Sequence, residues 1–195
     1  MKLIEQGYEF IIPPPHNTLN LIENAGRTCY KSESRGNPER FVRMLIKSGH
    51  HSVIEHVSAS VRFITNRGVS LELVRHRLAS YSQESTRYCR YDTAMEFIKP
   101  IWLNDWNEEC RKEFIDACLR AEQSYNALLE NAASPEQARE VLPNALKTEI
   151  VMSANLREWM HVFKLRCSAK AHPQMRALMK DVRQGFRERV KVLFE

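Results

Sequence analysis

No stretch of this sequence approaches the roughly 20 consecutive apolar residues that a membrane-spanning helix needs. Hydrophobic residues, 43% of the 195, are interspersed with 27% charged ones, which is ordinary globular usage and unlike disordered, collagenous or coiled-coil chains. The opening MKLIEQGYEFIIPPPHN lacks the basic start, apolar stretch and small-residue cleavage site of a secretion signal. No CxxC pair occurs, and the five cysteines (Cys29, Cys89, Cys110, Cys118, Cys167) are odd in number and scattered. Free thiols in a reducing cytoplasm are the expectation, with neither a disulfide framework nor a zinc ribbon. Internal repeats, low-complexity tracts and Pro/Gly/Ser linkers are missing too. Residues 1–195 therefore read as one domain, long enough to bury a sizeable core.

The usual nucleotide and hydrolase signatures are also missing. There is no GxGxxG and no βαβ rhythm, which excludes a Rossmann unit, and no GxSxG elbow to make a serine nucleophile of Ser85 beside His76. GHHSVIEH at 49–56 is not HExxH: His51 and His56 are five apart, roughly 140° off a shared helical face, so no metal site is expected. Net charge is +5, from 29 basic against 24 acidic residues, enough for a site taking small anions. Lys-rich clusters interleaved with aromatics are absent, so nucleic acid is not the expected partner.

Periodicity and punctuation place helices over 18–29, from Asn37-Pro38 to Gly49, over 69–79, 104–131, 155–165 and 171–193, and one opened by the capping box Ser134–Gln137. Strands are expected at 57–65, where Val57, Ala59, Val61 and Phe63 alternate with polar residues, and at 94–99 and 146–153. The 69–79 helix is expected to turn Val69, Leu73 and Leu78 inward and to run into a loop over 80–88. The fold class is mixed α/β (α+β), helix-rich, around a small and mostly antiparallel sheet of sequence-local strands.

What is present in concentration is RHRLASYSQESTRY, residues 75–88. Two arginines flank a histidine, then serines and a threonine lead to a third arginine. Arginine presents a planar fork of donors matched to phosphate oxygens, and hydroxyls and loop N–H groups add neutral donors. On a helix, Arg75 and Arg77 point to different sides and can serve two anions, or two parts of one complex. A solvated helix face followed by a polar loop is the plainer reading.

RHR followed, seven residues on, by Ser85 and then Arg87-Tyr88 resembles the signature of the flavin-dependent thymidylate synthases. The resemblance covers nearly the whole chain. GRTCY at 26–30 resembles an N-terminal segment of that family, with Cys29 where Ser is common. GHHSVIEH, AREVLP at 138–143 and NLREWMHVFKLR at 155–166 resemble three further family segments in the right order.

The resemblance implies dTMP synthesis from dUMP, with 5,10-methylenetetrahydrofolate as carbon donor, FAD as hydride carrier and NADPH as reductant. It also implies a cytoplasmic homotetramer whose active sites are shared between subunits. Carried onto this sequence, it assigns FAD contacts to His50, Ser52, Arg75, His76, Arg77, Gln83, Asn155, Leu156, Arg157 and His161. It assigns dUMP contacts to Glu72, Arg75, Gln83, Glu84, Ser85, Thr86, Arg87, Arg139 and Arg166. Gln83 departs from the acidic residue common there, and His161 from an Asn found in some relatives. Arg166 matches the residue that activates uracil. A guanidinium against N3 and O2 favours the anionic ring whose C5 is nucleophilic. Ser85, with no paired base, is expected to bind dUMP and not to attack it.

Overall fold

The computed structural model describes every residue except Arg35, Asp92 and Thr93, and of Tyr30 the backbone alone. Its elements in chain order are β1 (Lys2–Ile4), β2 (Gly7–Ile12), α1 (Thr18–Tyr30), α2 (Pro38–Lys47), β3 (Ser58–Asn66), α3 (Arg67–Leu73) and β4 (Ala79–Gln83). These are followed by β5 (Glu96–Ile98), α4 (Glu108–Glu130), α5 (Pro135–Ala138), β6 (Lys147–Asn155), α6 (Leu156–Arg166) and α7 (Pro173–Arg189). Short 3-10 turns occupy His51–His56, Arg139–Val141 and Lys191–Leu193. The architecture is α+β. Two compact units divide the chain, one of residues 1–7, 63–75 and 82–151, the other of 8–62, 76–81 and 152–195.

In the first unit β1 pairs with β5 in parallel, Lys2 opposite Glu96 and Ile4 opposite Ile98. Met95, Phe97, Cys118, Tyr125, Ala138 and Leu146 form its core. Helix α4 starts where Asn107 Oδ1 accepts from Cys110 N at 2.8 Å, satisfying a first-turn donor that otherwise has no partner.

The second unit is built on aromatic packing. Helix α6 buries Leu156, Trp159, Val162 and Phe163 at helical spacing and leaves Arg157, His161 and Lys164 outside. Trp159 meets Phe186 of α7 with ring centroids 4.9 Å apart and donates its indole N–H to Ala59 O at 3.2 Å. Strand β2 follows period 2: Phe10 packs on Phe186 at 5.1 Å, while Glu9 faces outward to Arg62 of β3. Gly185 lets Tyr8 in, because a Cβ there would stand 2.3 Å from the tyrosine hydroxyl. Just before β3 and just after β6, Val57 O accepts from Leu156 N, and within the strands Ser60 Oγ lies 2.6 Å from Ser153 Oγ. A step of three up one strand is a step of three down the other, so the pair is antiparallel.

Several expectations are corrected. Strands β2, β3, β6 and β4 are neighbours in that order, so the sheet joins distant parts of the chain and is not sequence-local. Strands β1 and β2 were not foreseen. Helix α3 ends at Leu73, so Arg75, His76 and Arg77 lie beyond it, and the argument from helical sides does not apply to them. Leu78 is 75% exposed and belongs to no core. The stretch expected as a loop from residue 80 begins as strand β4. Helix α4 starts at Glu108, four residues later than expected, and α7 ends at Arg189. All five cysteines are free thiols.

Candidate active site

The second unit gathers a buried polar cluster around His76. After α3 the chain turns inward, and His76 is only 5% exposed. Its Nε2 accepts from Arg166 Nε at 2.9 Å, and its Nδ1 faces Glu158 Oε1 at 3.5 Å. The His161 ring stands edge-on, centroids 6.1 Å apart, and Tyr81 of β4 donates its hydroxyl to the His76 carbonyl at 2.9 Å. Burial, then the neighbouring Arg166 and His161, lower the His76 pKa to about 4, so the imidazole is neutral at physiological pH. Burial, with the Glu158 charge adding to it, pushes the Tyr81 hydroxyl up to about 12. Arg166 thus sets its guanidinium against the neutral His76 ring, whose other nitrogen faces the Glu158 carboxyl group. Ligand atoms of His76, Glu158 and His161 lie within 4.8 Å of one another, a spacing an ion could bridge. The guanidinium on His76 Nε2 already places a positive charge there, which disfavours a divalent cation.

Asn155 closes β6 and caps α6, its Oδ1 accepting from Glu158 N at 2.9 Å. Leu156 is fully buried and its N–H donates to Val57 O at 2.8 Å, so its side chain serves the core. Arg157 is exposed and pairs with Glu55 of the 3-10 turn. His50, just before that turn, and Ser52, on it, are exposed. Arg77 is exposed and has no ion-pair partner among the described residues. A cleft of about 560 Å³ opens here, with Arg157, His161, Lys164 and Arg183 among its lining.

The first unit holds the remaining candidates. Gln83 Nε2 donates to Ser70 Oγ at 2.9 Å and Thr148 Oγ1 at 3.1 Å, tying β4 to α3 and β6. Glu84 accepts from Tyr91 Oη at 3.1 Å, Lys147 Nζ at 3.3 Å and Glu149 N at 3.3 Å. Both side chains therefore brace the loop that follows. In that loop Ser85 O accepts from Tyr88 N and Cys89 N, and Ser85 Oγ accepts from Arg87 N at 3.3 Å, a tight turn. Buried Thr86 meets Arg139 Nη1 at 3.4 Å, and exposed Arg87 pairs with Glu136 at 2.9 Å. Glu72 is half-buried on α3, and Arg75 is exposed with no ion-pair partner among the described residues.

Arg67 and Glu158 escaped the sequence reading. Arg67 lines a cleft of about 320 Å³ with Thr86, Arg139 and Glu140, where Arg139 Nε is buried without a hydrogen-bond partner and faces Glu140 Oε1 at 3.6 Å. Two guanidiniums in one cleft are a signal for an anion, but only folding brings residues 67 and 139 together. Glu158 lay inside a quoted segment, yet nothing in its spacing told a buried carboxylate from a solvated one.

The sequence is similar to known proteins over most of its length. Residues 12–190 match the model of the thymidylate synthase complementing protein family. The flavin-dependent thymidylate synthase of Mycobacteroides abscessus is 35% identical over 197 residues, covering 87% of this chain and 78% of that protein. The enzymes of the same name from Mycobacterium tuberculosis and Mycobacterium marinum are each 35% identical, over 178 and 199 residues, with 81% and 87% of this chain covered and 71% and 78% of theirs. With nearly its whole length matched, the chain belongs to the thymidylate synthase complementing protein family.

Proposed function

We propose that this chain is a flavin-dependent thymidylate synthase, converting dUMP to dTMP with 5,10-methylenetetrahydrofolate as carbon donor and NADPH as reductant. The observation that carries the reading is Arg166, a half-buried guanidinium anchored through Nε to a neutral, buried His76. FAD suits the residues present: Arg75 and Arg77 are exposed and without ion-pair partners among the described residues, as a pyrophosphate requires in a fold with no glycine-rich cradle. Ser52, His50, Asn155, Arg157 and His161 supply further polar and cationic groups. When bound, FAD supplies the hydride that completes the methyl group.

Residues of this sequence, drawn from whichever copies meet at a shared site, prepare dUMP. Arg139, Arg87 and the Ser85–Arg87 amides and hydroxyls bind its phosphate and sugar. The Arg166 guanidinium lies against N3 and O2 of uracil, lowers the free energy of the ring's anionic form and so raises electron density at C5. Arginine keeps its proton at physiological pH and therefore stabilises charge without taking part in proton transfer. Neutral His76 leaves that charge undivided, where a protonated imidazole at 2.9 Å would oppose it. Ser85 positions the nucleotide and does not attack it.

The reading extends to a cytoplasmic homotetramer in which each site draws on more than one chain. No described helix is long and apolar enough to cross a membrane. Tritium release from 5-tritiated dUMP, with FAD, NADPH and methylenetetrahydrofolate supplied, tests the activity; release that fails without FAD is expected, and none with every component present overturns it. Light scattering with and without FAD tests the assembly: a monomer that is flavin-loaded and active would sink the shared site.

A further inference from the structure

Glu158 is a buried carboxylate with no part in the chemistry above. It is 6% exposed, sits in the first turn of α6 and is held there by the Asn155 cap on its own N–H. Two turns further along the same helix stands Arg166, and between them is the His76 ring, Nδ1 toward Glu158 and Nε2 toward Arg166.

The two imidazole nitrogens have distinct tasks, and the partner of one sets the state of the other. Arginine Nε always carries a hydrogen, so the 2.9 Å contact requires a bare lone pair on His76 Nε2. The ring proton of neutral His76 must then be on Nδ1, the atom facing Glu158 Oε1. The opposite tautomer sets N–H against N–H at Arg166 and a lone pair against a carboxylate at Glu158. With Arg166 turned by one bond, its fork no longer meets N3 and O2 together.

We propose that Glu158 is a positioning residue: its carboxylate holds His76 in the Nδ1–H tautomer, and His76 in turn aims the Arg166 guanidinium at the uracil ring. The proposal rests on the role given to Arg166 above.

Glu158→Gln keeps size and shape and removes the charge. In the FAD-loaded enzyme it is expected to lower kcat roughly ten- to a hundredfold, the usual cost of losing an outer-shell partner, while KM for dUMP moves less than about threefold. Nitrogen chemical shifts of His76 in the wild type should report the Nδ1–H form, and in Glu158→Gln a mixture of tautomers. Glu158→Asp, which restores the charge, should recover the Nδ1–H signature and part of the rate. It also decides the matter if the Gln variant does not fold. A Glu158→Gln enzyme with normal kcat, or with reduced kcat but an unchanged His76 tautomer, overturns the positioning role. Arg166→Ala separates the two ideas: inactive Arg166→Ala beside normal Glu158→Gln removes only Glu158, whereas an active Arg166→Ala removes both.

Discussion

The cluster around His76 and the turn at residues 85–89 are both polar, yet they are built on opposite plans. His76 and Glu158 are almost fully buried, and Arg166 is tied to His76 at 2.9 Å before any ligand arrives. In the turn, Arg87 is exposed and held by Glu136, and the neighbouring cleft contains Arg67 and Arg139 with Glu140, whose Oε1 lies 3.6 Å from Arg139 Nε. On the proposed function, one region is preorganised for charge developing on a ring and the other is an open receptacle for charge already present on a phosphate. Damage to the first should fall on kcat and damage to the second on KM, because only the first acts selectively on the transition state.

The strongest test of that contrast is Arg166. Arg166→Ala should reduce kcat on the order of a thousandfold, the loss typical when a donor to developing negative charge is removed, with FAD still bound. Arg166→Lys should also be poor, since an ammonium cannot span N3 and O2 as a fork. Single-turnover kinetics with flavin absorbance measure both effects, and near-normal kcat in either variant removes Arg166 from the mechanism.

Next in size is Ser85→Ala, in the open region. One hydrogen bond to a charged ligand is lost, about 1.5–3 kcal/mol or roughly ten- to a hundredfold in dUMP affinity. Turnover at saturating dUMP should persist. Abolished chemistry with intact dUMP binding would make Ser85 a nucleophile after all and erase the difference between the two regions.

These two regions were unequally legible in the sequence. The quoted segments contain His76, Ser85, Arg139 and Arg166, because a motif keeps its order whatever the fold does. Local capping chemistry was readable as well: Asn37 accepts from Arg40 N at 2.9 Å at the start of α2, and the Ser134–Gln137 box is formed. What could not be read was long-range. The contact between His76 and Arg166 spans 90 residues, and the pairing of β3 with β6 spans a similar length. Strand β4 was missed because ASYSQ is short and hydroxyl-rich, and β2 because its Tyr8-x-Phe10 alternation lies next to a proline run. Helix α3 stops at Leu73 so that His76 can be buried, a tertiary demand that overrides the helical pattern continuing through Leu78.

Burial of neutral His76 also predicts a pH effect peculiar to the closed region. Its folded pKa is lowered to about 4 from an ordinary value of 6.5. Between those values the unfolded chain binds a proton that the folded chain refuses, so stability is full above about 6.5 and declines as pH falls toward 4. The slope from this group is at most about 1.4 kcal/mol per pH unit. Thermal melts at fixed protein concentration across that window should show the decline, and His76→Gln should flatten it. An equal slope in both proteins would assign the acid sensitivity to other groups.

The smallest expected effect refines the open region. Glu136 and Arg87 are about half exposed and pair at 2.9 Å, and exposed ion pairs contribute about 0–1 kcal/mol. Glu136→Gln should therefore change stability by less than about 0.5 kcal/mol. Its consequence for dUMP has a definite sign. If Arg87 receives the phosphate, Glu136 competes for the same guanidinium, and each binding event must first displace it. Removing the carboxylate should lower KM for dUMP by up to roughly threefold, with kcat unchanged and with a steeper dependence on salt, since the site then presents one more uncompensated positive charge to the phosphate. A raised KM would mean that Glu136 holds Arg87 in place. The open region would then share the preorganised plan of the His76 cluster.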